Sequence, residues 1–303
     1  MNYLNSHRNF LFIINPIAGG IDKILLQKNI VKILSKNYFF NFEIVQTNAY
    51  NNYEILADKI LVEKFTDIII LGGDGTVNKI THQLKHLPVQ FGIIPLGSGN
   101  GLARSAGIPI DFENALQVIL KGNTQNIDAF NVNNNYACML AGIGFDAAVA
   151  HNFSLKKERG FISYFKSTLE QQKKLQSYPI DIIILNKKYS VAVYLLCIAN
   201  SNQFGNNIKI APNAQLNDGL LDIVIVPAMN QIKLPFQIIK HFLIKNVRTQ
   251  HNLNNQQIDY FQTKEITIIN KNYAPMHIDG EPIEAIQNIQ INIIENAFKL
   301  IIP

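Results

Sequence analysis

A chain of 303 residues with 48% hydrophobic and 16% charged residues has the size of about two domains, and a globular composition that excludes disordered or fibrous classes. Its formal charge of +5 favours anionic partners, yet no zinc-finger spacing or aromatic RNA-binding strand supports nucleic acid. No apolar run approaches the roughly 20 residues of a membrane span, and MNYLNSHRNFLF lacks a signal-peptide layout, so a cytoplasmic protein is expected.

In chain order, apolar runs predict strands over 10–15, 42–47, 67–71 and 91–95, each followed by a helix, over 24–34, 53–61, 77–84 and 102–106. Continuous apolar strands alternating with helices predict a parallel sheet covered on both faces, a Rossmann-like α/β domain over 1–126. From 127 the period changes. Strands 127–132 and 136–141 read as one hairpin, 180–185 and 191–199 as another, the latter turning at 186–188. Further strands are expected over 220–226, 265–270, 276–278, 289–294 and 298–302, with helices over 161–176 and 231–245. Strands in succession predict an antiparallel β-sandwich over 127–303, leaving the last strand free to return to the first domain. Cys138 and Cys197 fall in apolar runs with no CxxC and no metal spacing, the pattern of two buried reduced thiols.

Three segments of the first half share one layout, an apolar strand, a glycine-rich turn and a helix: IINPIAGG (13–20), ILGGDGTVN (70–78) and IIPLGSGNGLA (93–103). In a parallel sheet their turns lie at the carboxyl edge, where open α/β sheets bind ligands. Glycine admits a close-lying phosphate, and the N–H groups opening the next helix supply partial positive charge. Thr76 can bond a phosphate oxygen or cap a helix; Asn78 and Ser98 add short polar groups. Neither GxGxxG nor GxxxxGK[ST] occurs, so no phosphate-loop lysine is present. A divalent metal is then the way to neutralise a triphosphate, with Asp74 as its carboxylate; the alternative is a plain turn with Asp74 capping the helix.

The ordered set NPIAGG, GGDGTVN, PLGSGNGLARSAGIP, AGIGFDAAV, LNDGLLDIVIV and HIDGEP resembles the diacylglycerol kinase catalytic-domain family of lipid kinases. The resemblance covers essentially the whole chain. GGDGT alone is shared with NAD kinases, while GSGNGLAR with DGEP is more specific. The resemblance implies a nucleotide-binding α/β domain, then a β-sandwich domain carrying the lipid site, with the active site in the cleft between. It implies ATP and Mg as cofactors, with Asn15, Thr47, Gly72, Gly73, Asp74, Gly75, Thr76, Asn78, Gly97, Ser98 and Asn100 around the nucleotide. The general base would come from Asp279 or Glu281, with Glu281 favoured. Metal would be held by Asp74, and in a second, structural site by Gln215, Asp218 and Leu220. GSGNGLAR departs from the GTxNDFAR of many bacterial diacylglycerol kinases toward the sphingosine kinase style, which loosens the choice of lipid.

From the residues alone, HIDGEPIE reads first as a hairpin turn at Asp279-Gly280, which would send the two carboxylates apart. Asn217-Asp218-Gly219 has the same double reading. Asp146 is a secondary cleft candidate, and His277 reads as a packed histidine. The stretch IKLPFQIIKHFLIKNVR (232–248) and the lysines around 156–174 read first as ordinary amphipathic helices, and are also candidates for peripheral contact with an anionic membrane. The favoured function is a lipid kinase acting on diacylglycerol, with a sphingosine- or ceramide-type kinase next. An NAD kinase-like transferase and a non-catalytic nucleotide- or lipid-binding regulator remain as rivals. A homodimer fits such a fold, though nothing in the sequence marks an interface.

Overall fold

Five consecutive side chains, Phe10 to Ile14, are fully buried on the first strand, β1 (Asn9–Ile14), the signature of a strand covered on both faces. The computed structural model describes residues 8–20, 22–35, 40–47, 52–145, 147, 176–203, 209–229 and 257–303. The chain divides into two compact units, Met1–Ile127 with Ala297–Pro303, and Asp128–Asn296.

In the first unit β1, β2 (Asn41–Gln46), β3 (Asp67–Gly72) and β4 (Gln90–Pro95) form a parallel sheet in the order β4-β3-β1-β2. The end of the last strand, β15 (Asn288–Ile301), joins it beside β4 through Leu300 and Phe91. Helix α1 (Lys23–Leu34) is capped by Asp22, whose carboxylate accepts from the Ile24 and Leu25 amides. Next come a 3-10 turn (Glu54–Leu56) with α2 (Ala57–Val62), then α3 (Asp74–Leu84), α4 (Gly101–Ser105) and α5 (Phe112–Lys121).

Two helices differ from the sequence reading. α3 begins at Asp74, not at residue 77, because Gly73 in extended conformation is its N-cap. α5 was not anticipated, although Asp111 caps it and Gly122, at φ 75°, ends it. Arg8 ties the end of α5 to β3: its guanidinium donates to the Ile119 and Leu120 carbonyls, at 2.8 and 3.2 Å, and pairs with buried Asp67.

The second unit is antiparallel. β5 (Thr124–Val132), which crosses into it from the first unit, makes a hairpin with β6 (Asn135–Ala137). The neighbours β14 (Glu281–Ile283), β13 (Met276–Ile278), β7 (Leu140–Gly144), β9 (Lys187–Ala199), β8 (Tyr178–Ile184), β12 (Glu265–Asn270) and β15 follow one another. β10 (Leu221–Pro227) adds to β9 and carries β11 (Asp259–Thr263). Ile180, Ile182, Ile198, Ile223, Ile268 and Ile289 lie in its hydrophobic core.

Three strand expectations are corrected. The strand expected over 136–141 breaks at Cys138–Met139 into β6 and β7. The β8–β9 turn is the pair Leu185-Asn186, both at positive φ, since two-residue turns of that hand match strand twist. The two final strands are one, β15, with Asn296 at φ 52° within it. The helices expected at 161–176 and 231–245 lie, apart from Gln176, outside the described residues, as do Asp146, the lysines of 156–174 and the stretch 232–248.

Candidate active site

Strand pairing brings the three glycine-rich turns of the first unit together. Asn15, just past β1, donates from Nδ2 to the Thr76 hydroxyl at 2.8 Å, and its Oδ1 accepts from the Ile17 amide. That couples the first turn to α3. Gly19, at φ 61°, approaches so near to Leu96 that a Cβ there would meet the Leu96 carbonyl oxygen at 2.4 Å. A Cβ on Gly97 would lie 2.7 Å from the Gly73 Cα. Only glycine tolerates these approaches. Thr47 lies just past β2 at the same edge, its amide donating to the Ile14 carbonyl.

Asp74 occupies the first position of α3, one residue past its N-cap, Gly73. The Asp74 Oδ1 accepts from the Leu102 amide in the first turn of α4, at 3.4 Å. The carboxylate therefore sits at the amino ends of two helices, where partial positive charge stabilises an anion. Gly75 and Thr76 complete the first turn; the Thr76 amide donates to the Gly73 carbonyl at 3.0 Å, while the Gly75 position has no intrahelical carbonyl for its N–H to bond. Thr76 is 7% exposed, with its side chain packed on Gly72. Asn100, in left-handed conformation, closes the third turn: its side-chain amide accepts from the Gly97 N–H at 2.9 Å and donates to the Gly97 carbonyl at 2.8 Å. Ser98 is exposed at the tip, and Asn78 is half-buried on α3.

In the second unit the DGE turn adopts the hairpin form. Ile278 pairs with Glu281 across Asp279-Gly280, both at positive φ. The two carboxylates diverge: Asp279 is buried and Glu281 exposed. Asp279 clamps the break between β6 and β7. Its Oδ2 accepts from the Cys138 amide at 3.0 Å and the Cys138 thiol at 3.4 Å. Its Oδ1 accepts from the Met139 and Leu140 amides at 3.0 and 2.9 Å.

Asn200, with no exposed surface, holds the same segment by its carbonyls. Its Nδ2 donates to the Cys138 and Asp128 carbonyls, and its amide and that of Ser201 donate to the Met139 carbonyl. Sequence reasoning missed Asn200 and the clamped segment, since neither lies in a spacing pattern; the only signal was a polar residue closing an apolar strand. His277 is buried, its Nδ1 accepting from the Gly280 amide at 3.3 Å.

The loop before β10 gathers carboxylates. Asp218 accepts from the Leu220 amide at 3.1 Å and from the Gln262 side chain at 3.3 Å. Buried Asp128 accepts from the Gly219 and Asn296 amides, both at 2.8 Å. Burial, with the Asp128 charge adding, raises the Asp218 carboxyl above its ordinary range. Burial pushes Asp222 up to about 6 against hydrogen bonds from Tyr260 and Gln262, and burial with the Asp222 charge raises the Tyr260 hydroxyl. Gln215 is exposed beside this loop. Among the described residues no group of three or more His, Cys, Asp or Glu side chains is placed to hold a metal. A cation here would draw on the Asp218 carboxylate and on backbone carbonyls, oxygen donors that suit a hard ion.

Comparison with known proteins bears on what these turns do. The diacylglycerol kinase catalytic domain family matches residues 9–132, and the YegS C-terminal NAD kinase beta sandwich-like domain family matches 140–302, more than half of the chain. The chain belongs to the diacylglycerol kinase catalytic-domain family. It is a lipid kinase of the diacylglycerol kinase kind. The diacylglycerol kinases of Staphylococcus carnosus and Bacillus subtilis are each 26% identical, over 278 and 276 residues. Both alignments cover 89% of this chain, and 87% and 88% of those proteins. A solved diacylglycerol kinase from Bacillus anthracis shares the fold, with a TM-score of 0.73 at 22% identity over 98% of this chain and 97% of that one.

The family assignment covers both units, the glycine-rich turns of the first and the DGE turn of the second.

Proposed function

We propose that the chain transfers the γ-phosphoryl group of ATP, with Mg²⁺, to a lipid hydroxyl at a membrane surface, first of all converting diacylglycerol to phosphatidic acid. The observation that carries this reading is the convergence of Asn15–Thr76, Gly73–Gly97 and Asp74–Leu102 on one sheet edge. Amides of Gly73 and Gly75 cradle the phosphates, which side-chain-free Gly72 and Gly97 admit at close range, with Thr47, Asn78 and Ser98 as short polar groups beside the nucleotide. Asn15, Thr76 and Asn100 keep the turns together through the bonds described above. Asp74 offers the hard oxygen donor that suits Mg²⁺, which when bound neutralises triphosphate charge. The Asp218 carboxylate with the Gln215 and Leu220 carbonyls would hold a second, structural ion.

Glu281, exposed on β14, accepts the proton of the acceptor hydroxyl as its oxygen attacks the γ-phosphorus and ADP leaves. Asp279 has its oxygens engaged by three amides and a thiol, and so supports the turn that presents Glu281. Among the described residues no helix is long and apolar enough to cross a membrane, so the lipid is met from the surface.

Transfer of labelled γ-phosphate, offered mixed micelles of diacylglycerol, monoacylglycerol, sphingosine and ceramide, with NAD as a separate acceptor, tests this. Label in phosphatidic acid is expected, falling by about a hundred-fold or more in Glu281→Gln, the usual worth of a general base, and in Asp74→Asn. Label in NADP, or wild-type turnover by both variants, would overturn it.

A further inference from the structure

α1 has two opposed faces. Leu26, Ile30 and Leu34 are buried, and at 3.6 residues per turn Ile24, Leu25, Lys28, Val31 and Lys32 fall on the opposite arc. Ile24 is 66% exposed, Leu25 54% and Val31 44%, and Ile17, in the turn from β1 into α1, is 84% exposed. Both lysines on that arc are exposed as well. The sole acidic residue from 15 to 35 is Asp22, and its carboxylate is engaged in capping α1. A surface helix ordinarily turns polar residues outward; large aliphatics there, interleaved with cations alone, ask for a partner.

The chemistry of the face selects that partner. A nucleic acid would use the lysines and gain nothing from Ile24, Leu25 and Val31. A second copy packed two-fold on this face would set Lys28 and Lys32 against the same pair, with no carboxylate to offset them. A bilayer bearing anionic headgroups satisfies both halves, since aliphatic tips enter the interface while lysine stems lie along it and their ammonium groups meet the headgroups.

We infer that the outer face of α1, together with Ile17, rests on an anionic lipid bilayer. The inference rests on the lipid-kinase reading and deepens it by naming where the first unit meets its membrane. α1 starts at the sheet edge where the glycine-rich turns gather, so this contact holds those turns beside the surface from which the lipid comes.

Sedimentation of the full chain with phosphatidylcholine vesicles, with and without phosphatidylglycerol, tests it. Wild type should bind the anionic vesicles and be released by added salt. Lys28→Gln with Lys32→Gln should weaken that binding about thirty-fold, two charges at roughly 1 kcal/mol each. Ile24→Ser with Leu25→Ser and Val31→Ser should weaken it at every salt concentration. Both variants should phosphorylate a dispersed short-chain diacylglycerol as wild type does. Binding unaltered in both, or insensitive to salt, overturns the inference, as does loss of self-association in sedimentation velocity with vesicle binding intact. Vesicle binding that depends on α1 while no lipid takes label upholds the surface and rejects the proposed reaction.

Discussion

Asp279 and Glu281 stand two residues apart, yet the turn between them assigns them opposite environments. With Asp279 accepting from Cys138, Met139 and Leu140, the carboxylate replaces the strand partner that these residues lose where β6 gives way to β7. Asp279→Asn sets a side-chain NH₂ against donors in the clamp. An unsatisfied buried donor costs about 1–3 kcal/mol, so the variant should melt at a lower temperature. Its remaining turnover should exceed that of Glu281→Gln, which loses turnover at an unchanged melting temperature. An Asp279→Asn enzyme of normal stability with turnover as low as that of Glu281→Gln would move the base to Asp279. The DGE motif was legible from the sequence, and so was the alternative of a turn; the division of labour was not, because it depends on amides from residues 138 to 140.

Among the elements, the turns after β3 and β4 are spaced by glycine alone. A methyl on Gly97 would stand 2.7 Å from the Gly73 Cα and 2.8 Å from Asn100 Oδ1, so the turns must part or the Asn100 pairing must break. Overpacking of this kind costs about 1–3 kcal/mol. Gly97→Ala is expected to raise KM for ATP about ten-fold or more, as that energy corresponds to a factor of roughly 5 to 150. Gly20→Ala, with nothing within 4 Å of its added carbon, is the control that should leave KM alone. The alternation of strands and helices was plain in the sequence as continuous apolar runs. The start of α3 was not, since GGDGT reads as an open turn until Gly73 is seen to cap it. The α5 signals, Asp111 and Gly122, were present and overlooked.

For the molecule as a whole, buried carboxyls set the response of stability to pH. The folded Asp222 carboxyl keeps its proton up to about pH 6, whereas in an unfolded chain it releases it near 3.9. Between those values the folded state binds more protons, so stability falls as pH rises through that window and is level above it. The loss is on the order of 3 kcal/mol. Asp181 acts in the opposite sense at lower pH. Hydrogen bonds from Lys188 and then Lys271 hold its carboxyl below the usual range, so its contribution is complete above about pH 5 and lost toward strong acid. Melting temperatures read between pH 4.5 and 6.5 should therefore fall less steeply in Asp222→Asn than in wild type. Equal slopes would remove Asp222 from this role.

By itself the sequence determined the alternation of strands and helices in the first unit, the change of period near residue 126 and the glycine-rich turns, because apolar spacing and glycine act over a few residues at a time. The ordered motifs also pointed to the family that the comparisons then established. Tertiary structure decided which polar groups remain for chemistry. Asn100 is tied to Gly97, Thr76 to Asn15 and Asp279 to the 138–140 break. These bonds join segments that are up to 141 residues apart, and no local pattern records a pairing that exists only once the strands have been laid side by side.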